Sequence, residues 1–329
     1  MLRSMYSGIS GLKNFQTKLD VIGNNISNVN TYGYKKERTI FKDLISQTQS
    51  GASGPSTTRG GVNAIQVGLG SQLAAIDTIH NAGAMQTTGR TLDLAISGDG
   101  FFMVADATDF VQGDPANGEP ATAGGYTSTL YTRAGNFYMD RNGFLVNGDG
   151  KYLVGFAGDV TAYDAINPLN APGSGFEQNK PEVAGGTNLI DPATGELIAQ
   201  GGTTPSPIRI PTTAQSMSIS QDGSISFVDS AGDLQYAGTI VLAKFANSGG
   251  LEKTGSNYFQ TTPNSGAIYA QLATQDGIGS INSGFMEMSN VDLSEEFTEM
   301  IVAQRGFQAN SRIITTSDEI LQELVNLKR

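Results

Sequence analysis

Apolar residues repeat every three to four positions at both ends of this 329-residue chain, but alternate in its middle. Few folds accept both periods in that order. At the start they fall at Leu2, Met5, Ile9, Leu12, Phe15, Leu19, Ile22, Ile26 and Val29, a single stripe along a helix. Such a helix is roughly 42 Å long at ~1.5 Å per residue. At the end, Leu293, Met300, Phe307, Ile314 and Leu321 recur at intervals of seven. Phe297 and Val325 occupy the adjoining seam position, and Gln304, Ser311 and Asp318 fill the rest of that row with polar interruptions. Ser289-x-x-Asp292 and Asp292-x-x-Glu295 both resemble capping boxes and place a helix start there. No proline follows before Arg329. Glu295, Glu296, Glu299, Glu319 and Glu323 share this helix with Arg305, Arg312, Lys328 and Arg329; acids early and bases late suit its dipole.

Neither helix hides its stripe alone, and each is long for a globular domain. Packing on the middle domain is one solution; pairing with each other and with other copies is the better one, because the middle reads as β. There Thr91–Ile96 alternates and Phe101–Val104 follows a Gly98-Asp-Gly100 turn. Tyr131–Asp140 leads through Arg141-Asn-Gly143 to Phe144–Val146, and Asn147-Gly-Asp-Gly150 precedes Lys151–Phe156. Ile208–Ile210, Ser216–Ser220, Ser224–Val228 and Thr239–Phe245 complete the set. Short strands with Asn-Gly or Asp-Gly turns predict antiparallel hairpins, and 42 glycines with 16% charged residues suit such a body. The expected fold is therefore α+β: N- and C-terminal helices pairing as a coiled coil, around a mainly antiparallel β middle domain. The expected divisions are 1–29 with 285–329 for the helical part, 30–75 for a connecting hairpin or linker, and 76–284 for the β-rich outer domain. Gly-, Pro- and Thr-rich stretches at 106–125 and 158–207 read as loop excursions, and Ser46–Gly61 as a low-complexity link.

A formal charge of −11 argues against nonspecific nucleic-acid binding. With no cysteine there is no disulfide framework, thiol nucleophile or zinc-thiolate site. The first fourteen residues lack the apolar core of a cleaved signal, and no run approaches the ~20 apolar residues of a membrane span. His80 is the single histidine and no Gly-x-Ser-x-Gly surrounds a serine, so a histidine-based triad has no basis. Paired carboxylates are the remaining catalytic option, with Asp93, Asp99, Asp140, Asp149 and Asp222 available. Asp99, Asp149 and Asp222, however, each precede glycine, where turns place Asp. Asp140-Arg-Asn-Gly143 resembles the start of a calcium loop without its later acidic ligands. No P-loop is present. The residues point to no enzyme, cofactor or metal.

After the first helix come Asn24, Asn25, Asn28, Thr31, Gly33, Tyr34 and Lys35. Paired asparagines, a third asparagine and Thr-x-Gly-aromatic-Lys resemble the signature of bacterial flagellar rod and hook axial proteins. Three more stretches resemble that family: Asp93–Phe102, Tyr131–Phe137 and Gly284–Asp292, the last continuing into Glu299–Asn310. Within the family, Met1–Gly11 and Ser317–Arg329 are most similar to the hook branch of Bacillus-type flagella, with the distal rod branch a close paralogue and the alternative. The resemblance implies a tubular homopolymer exported by the flagellar type III apparatus without a cleaved signal, hence extracellular, in the hook or basal body. It further implies contacts with the distal rod protein, the hook cap protein and the hook–filament junction proteins. Terminal helices would form the inner layer and order on assembly, being frayed in the monomer.

Overall fold

The computed structural model describes residues 2–108, 125–158, 188–190 and 206–327. Most of both excursions, 109–124, 159–187 and 191–205, lies outside the described residues. The chain divides into two compact units: Met1–Val29, Lys35–Ile79 and Val291–Arg329 form one, and Asn30–Tyr34 with His80–Asn290 form the other.

The first unit contains helix α1 (Leu2–Ser27), helix α2 (Leu293–Asn326) and a long β ribbon. α1 stops short of Val29, whose N–H tightens to the Ile26 carbonyl three residues back, while the Asn28 side chain donates to the Asn24 carbonyl over the last turn. α2 begins where its sequence directs: Asp292 is the N-cap, its carboxylate accepting from the backbone N–H of Ser294 and Glu295. Its last described turn carries no base, so the dipole argument holds for the acids of the first turn alone. The ribbon is built from strands β1 (Glu37–Asp43), β2 (Ser46–Ser50), β3 (Ile65–Gly68) and β4 (Ser71–Thr78). β1 pairs antiparallel with β4 and β2 with β3, and a Ser53–Val62 bridge extends the ribbon beyond them. Ser46–Gly61, which read as low-complexity link, thus contains a strand. β1 and β4 pack on α1, where Asn14 Nδ2 donates to Ser71 Oγ at 2.8 Å. Gly70 sits so close to α1, at φ +120°, that a Cβ there would fall 2.3 Å from Ser10 Oγ.

The second unit is a mainly antiparallel β body. Its large sheet runs β13 (Ser216–Ile219), β14 (Ser224–Val228), β15 (Leu234–Phe245), β11 (Tyr152–Ala157), β7 (Phe101–Thr108), β8 (Gly125–Thr132), β17 (Tyr258–Gln260) and β16 (Glu252–Gly255). Off this path, β10 (Leu145–Val146) pairs with β9 (Tyr138–Met139) and β11, β12 (Ser206–Pro207) with β11, and β18 (Ile268–Leu272) with β15. Both faces of its centre are covered. Phe102 and Val104 of β7 join Ile240 and Leu242 of β15 on one side, and Phe101 and Met103 join Val241, Ala243 and Phe245 on the other. That explains why β15 reads as a continuous apolar run. The predicted turns are present: Asp140 Oδ1 accepts from the amides of Asn142 and Phe144 at 2.8 Å each, with Gly143 at φ +87°. Asp140 thereby serves a tight turn, and the calcium-loop likeness is a turn motif. Ile208–Ile210 forms no ladder; its two isoleucines are buried and Arg209 makes a single bridge to Phe144. Two short ladders pair distant segments: β6 (Leu94–Ser97) with β19 (Ser280–Ser283), and β5 (Met85–Thr87) with β20 (Phe285–Glu287).

Candidate assembly surface

In the first unit, α1 and α2 lie side by side in antiparallel order. Ile22 is buried; Met5, Leu12, Leu19 and Ile26 are half-buried on α1, and Met300, Ile314 and Leu321 on α2. Leu2 begins α1. Other residues of the predicted stripes face outward: Ile9 is 48% exposed, Phe297 50% and Val325 64%, with Leu293 and Phe307 also exposed. The row on α2 that turns towards α1 beside Met300 and Ile314 is therefore Glu296, Ala303, Asn310 and Ser317. Three of these are buried and Asn310 is half-buried against Gly11. It is not the row of Phe297, Gln304, Ser311, Asp318 and Val325. The reason is size. Gly8 and Gly11 bring the two backbones close, and small residues fit there where phenylalanine does not. The signal was present as small residues at heptad spacing, which a count of large apolar residues passes over.

What remains outside is considerable. Ile301, Val302, Ile313, Ile320, Leu324 and Leu327 are exposed on α2, as is Tyr6 on α1. On the ribbon, β2 is exposed along its length, and Ile45, Val62 and Ile65 are exposed beside it. The exposed apolar residues of α1 and α2, with Ile45, Val62 and Ile65 beside the polar strand β2, make this unit the candidate association face.

The asparagine signature closes the α1 end of this unit. Asn25, 1% exposed, uses its amide as a strand would: Nδ2 donates to the Glu37 carbonyl at 2.8 Å, and Oδ1 accepts from the Glu37 N–H at 3.0 Å. The same Nδ2 reaches Glu296 Oε2 at 3.3 Å. Asn28 Nδ2 donates to the Asn24 carbonyl at 2.9 Å and caps the helix; Asn24 itself is exposed. Lys35 is fully buried. Beside it, Lys36 Nζ meets Glu295 at 2.7 Å and Glu296 at 3.6 Å. Burial by itself lowers the Lys36 pKa, but the two glutamates outweigh it and hold the ammonium above the ordinary lysine value. Lys18 pairs with Glu299. A cleft of about 280 Å³ lies among these groups, floored by Val21, Ile22 and Ile79.

The rest of the signature belongs to the β body. The Thr31 carbonyl accepts from the Tyr34 N–H, forming a turn. Gly33, at φ +70°, donates its N–H to the Glu287 carbonyl at 2.9 Å, and a Cβ there would lie 2.5 Å from the Ala134 nitrogen. Tyr34 is buried, with Lys253 Nζ 4.8 Å from its ring centre. Under this turn lies a buried ion pair: Arg133 contacts Glu287 at 3.3 Å and donates to the carbonyls of Ile96 and Gly98. All four stretches that carry the resemblance thus meet at one place within the β body. The acids considered for catalysis are occupied elsewhere: Asp93 pairs with Arg90 at 3.5 Å and Asp140 caps its turn. His80 packs between the rings of Phe101 and Phe259. Among the described residues, no helix is long and apolar enough to cross a membrane.

Three family models match the chain. Flagella basal body rod protein covers residues 5–35, flagellar hook protein FlgE/F/G D1 domain covers 121–227, and flagellar basal body rod FlgEFG protein C-terminal covers 282–327. The chain is 51% identical over 330 residues to the flagellar basal-body rod protein FlgG of Bacillus subtilis, covering 100% of both chains. It is 32% identical over 462 residues to the flagellar hook protein FlgE of Borreliella burgdorferi, again covering 100% of both. With FlgG of Agrobacterium fabrum it is 31% identical over 322 residues, covering 97% of each.

Proposed function

The chain belongs to the FlgE/F/G family of flagellar rod and hook subunits, and we propose that within it the chain is the distal rod subunit of the basal body. That family consists of structural components that polymerise in the basal body and hook; it is not a family of enzymes. The observation that carries the rod reading is the 51% identity with FlgG of Bacillus subtilis across both whole chains, aligned over 330 positions. The 462-position alignment with the spirochaete hook protein, by contrast, leaves long stretches of that protein without a counterpart here. The alignment lengths thus support the rod.

On this reading the outward apolar rows of α2 and α1 meet other copies of the chain, and the exposed β2–β3 ribbon bridges neighbours. The helices complete their burial on addition to the growing end, which keeps free subunits from polymerising early. The subunit travels through the flagellar type III export apparatus to its place outside the cytoplasmic membrane, with no cleaved signal. Hook, hook-cap and junction partners follow from the second reading, that of a hook subunit, which the likeness of Met1–Gly11 and Ser317–Arg329 to hook termini favours.

Electron microscopy of basal bodies from a strain lacking the gene separates the two. Truncated rods without hooks are expected; full-length rods lacking only hooks would overturn the rod reading. Chains without residues 1–28 or 290–329 are expected not to assemble in cells, and tubes formed by either would overturn the role given to the helices.

A further inference from the structure

The antiparallel order of α1 and α2 has a defined register. A Cβ on Gly8 would meet Ile314 Cγ1 at 3.5 Å, Gly11 faces Asn310, Phe15 faces Gly306, and Asn25 reaches Glu296. The seven-residue repeat of Leu293, Met300, Phe307, Ile314 and Leu321 does not by itself select this register, because a slip of one heptad returns an apolar residue to each position. Two close contacts mark the observed register, and the first of them sets it apart from a slipped one. A Cβ on Gly306 would lie 2.5, 2.7 and 2.9 Å from Cζ, Cε1 and Cε2 of the Phe15 ring, and one on Gly11 would lie 2.7 Å from Asn310 Nδ2. Each glycine is a seat for one side chain of the facing helix. Shifted by seven residues, Phe15 would face Ile313 or Glu299 and find no seat.

We propose that Phe15 on Gly306 and Asn310 on Gly11 form a register lock, and that these four are positioning residues for assembly. The consequence lies at the far end of α2. With Gly8 opposite Asn310 and Ile314, the six residues from Gly8 back to Leu2 span roughly 9 Å of helix, so α1 runs out near residue 320. Residues 322–327 continue past it and are exposed throughout, Leu324, Val325 and Leu327 among them. The lock fixes the length of this apolar tip, and so the surface that a second copy of the chain meets. A slip by one heptad would cover the tip or lengthen it by two turns. This last step rests on the reading of the chain as a polymerising subunit; the lock itself does not.

Because the chain has no cysteine, an engineered pair reports register cleanly. Gly8→Cys with Ile314→Cys is expected to close an intramolecular disulfide in the purified full-length subunit. Adding Gly306→Ala is expected to lower the yield about tenfold, the effect of overpacking one methyl against a ring. The slipped pairs, Gly8→Cys with Phe307→Cys or with Leu321→Cys, are expected to cross-link poorly in the otherwise unchanged chain, because Phe15 has no seat in either slipped register. Phe15→Ala added to Gly306→Ala frees the seat and is expected to restore the original pair. An unchanged yield in Gly306→Ala would overturn the lock, as would a loss that Phe15→Ala does not repair. If Gly306→Ala loses helical circular dichroism, recovery on adding Phe15→Ala supports the lock and failure to recover counts against it. Cross-linking is read on the isolated subunit, so it can fail while the rod reading stands. Conversely, normal rods in a strain lacking the gene would remove the rod reading and leave the cross-linking result in place.

Discussion

Replacing Asn25 by alanine removes a side chain that joins three elements. Its amide satisfies both backbone groups of Glu37, at 2.8 and 3.0 Å, and donates to the Glu296 carboxylate at 3.3 Å. Asn25 is 1% exposed and Glu296 4%, so water does not readily replace it. A part-buried backbone group left unpaired costs about 1 kcal/mol and a buried carboxylate deprived of a donor about 1–2 kcal/mol, for a total of roughly 3–4 kcal/mol. The loss falls where β1 leaves α1, so it appears first as local opening of the ribbon and not as global unfolding. Hydrogen–deuterium exchange of peptides covering Glu37–Asp43 is the assay. Opening made easier by ~3 kcal/mol speeds exchange on the order of a hundredfold. Peptides from Tyr258–Gln260, in the other unit, are expected to exchange as in the parent. Asn28→Ala, on an exposed cap, is expected to shift β1 exchange far less. Were β1 to exchange at the parental rate in Asn25→Ala, the claim that this amide holds ribbon to helix would be wrong.

The β body offers three further tests. Gly33→Ala must place a Cβ 2.5 Å from the Ala134 nitrogen at φ +70°; a loss of roughly 2 kcal/mol or more in urea stability is expected, and an unchanged midpoint would refute the close approach. Burial pulls the Arg133 guanidinium below its ordinary pKa while Glu287 opposes that pull. Arg133→Met takes the cation away from a carboxylate that is 1% exposed and is expected to cost about 3–5 kcal/mol, with Arg133→Met/Glu287→Leu costing less than the sum of the singles; additive losses would show that the two charges do not interact. Burial also raises the tyrosine pKa values of the body, Tyr236 to about 12 and Tyr126 and Tyr131 in the same direction. A folded pKa above the unfolded value of about 10 contributes stability that is complete below pH 10 and is lost as pH rises towards 12. Tyrosinate absorbance and the sheet's circular dichroism are therefore expected to change together in that window. All eleven tyrosines titrating near pH 10 with the sheet intact would contradict it.

The two helices were legible because a period of three to four over more than twenty residues has few other readings, and Asp292 marked its own cap. Hairpins were legible where the turn lies between its strands, as at Asp140–Phe144 and at Asp222, whose carboxylate receives the Ser224 amide. Pairing across the chain was not. β5 and β20 are three residues each and some two hundred positions apart, too short to show alternation and too distant for any turn to announce them. The helix seam was half legible, since hydrophobicity finds the row of Met300 and Ile314 but not the partner row, where Ala303, Asn310 and Ser317 are chosen for smallness. That miss separates two groups of residues. Asn25, Asn28 and Gly33, which carry the resemblance, spend their hydrogen bonds within one chain. Phe297, Val325 and the exposed ribbon carry no such motif, yet they form the surface that the proposed polymer must bury. Substitutions in the first group are therefore expected to lower the stability of the isolated subunit. Those in the second are expected to leave that stability nearly unchanged, or to raise it as exposed apolar area is removed, while abolishing growth of the tube. A polar replacement of Phe297 that destabilised the free subunit as strongly as Asn25→Ala would place that side chain in the chain's own core and undo the division.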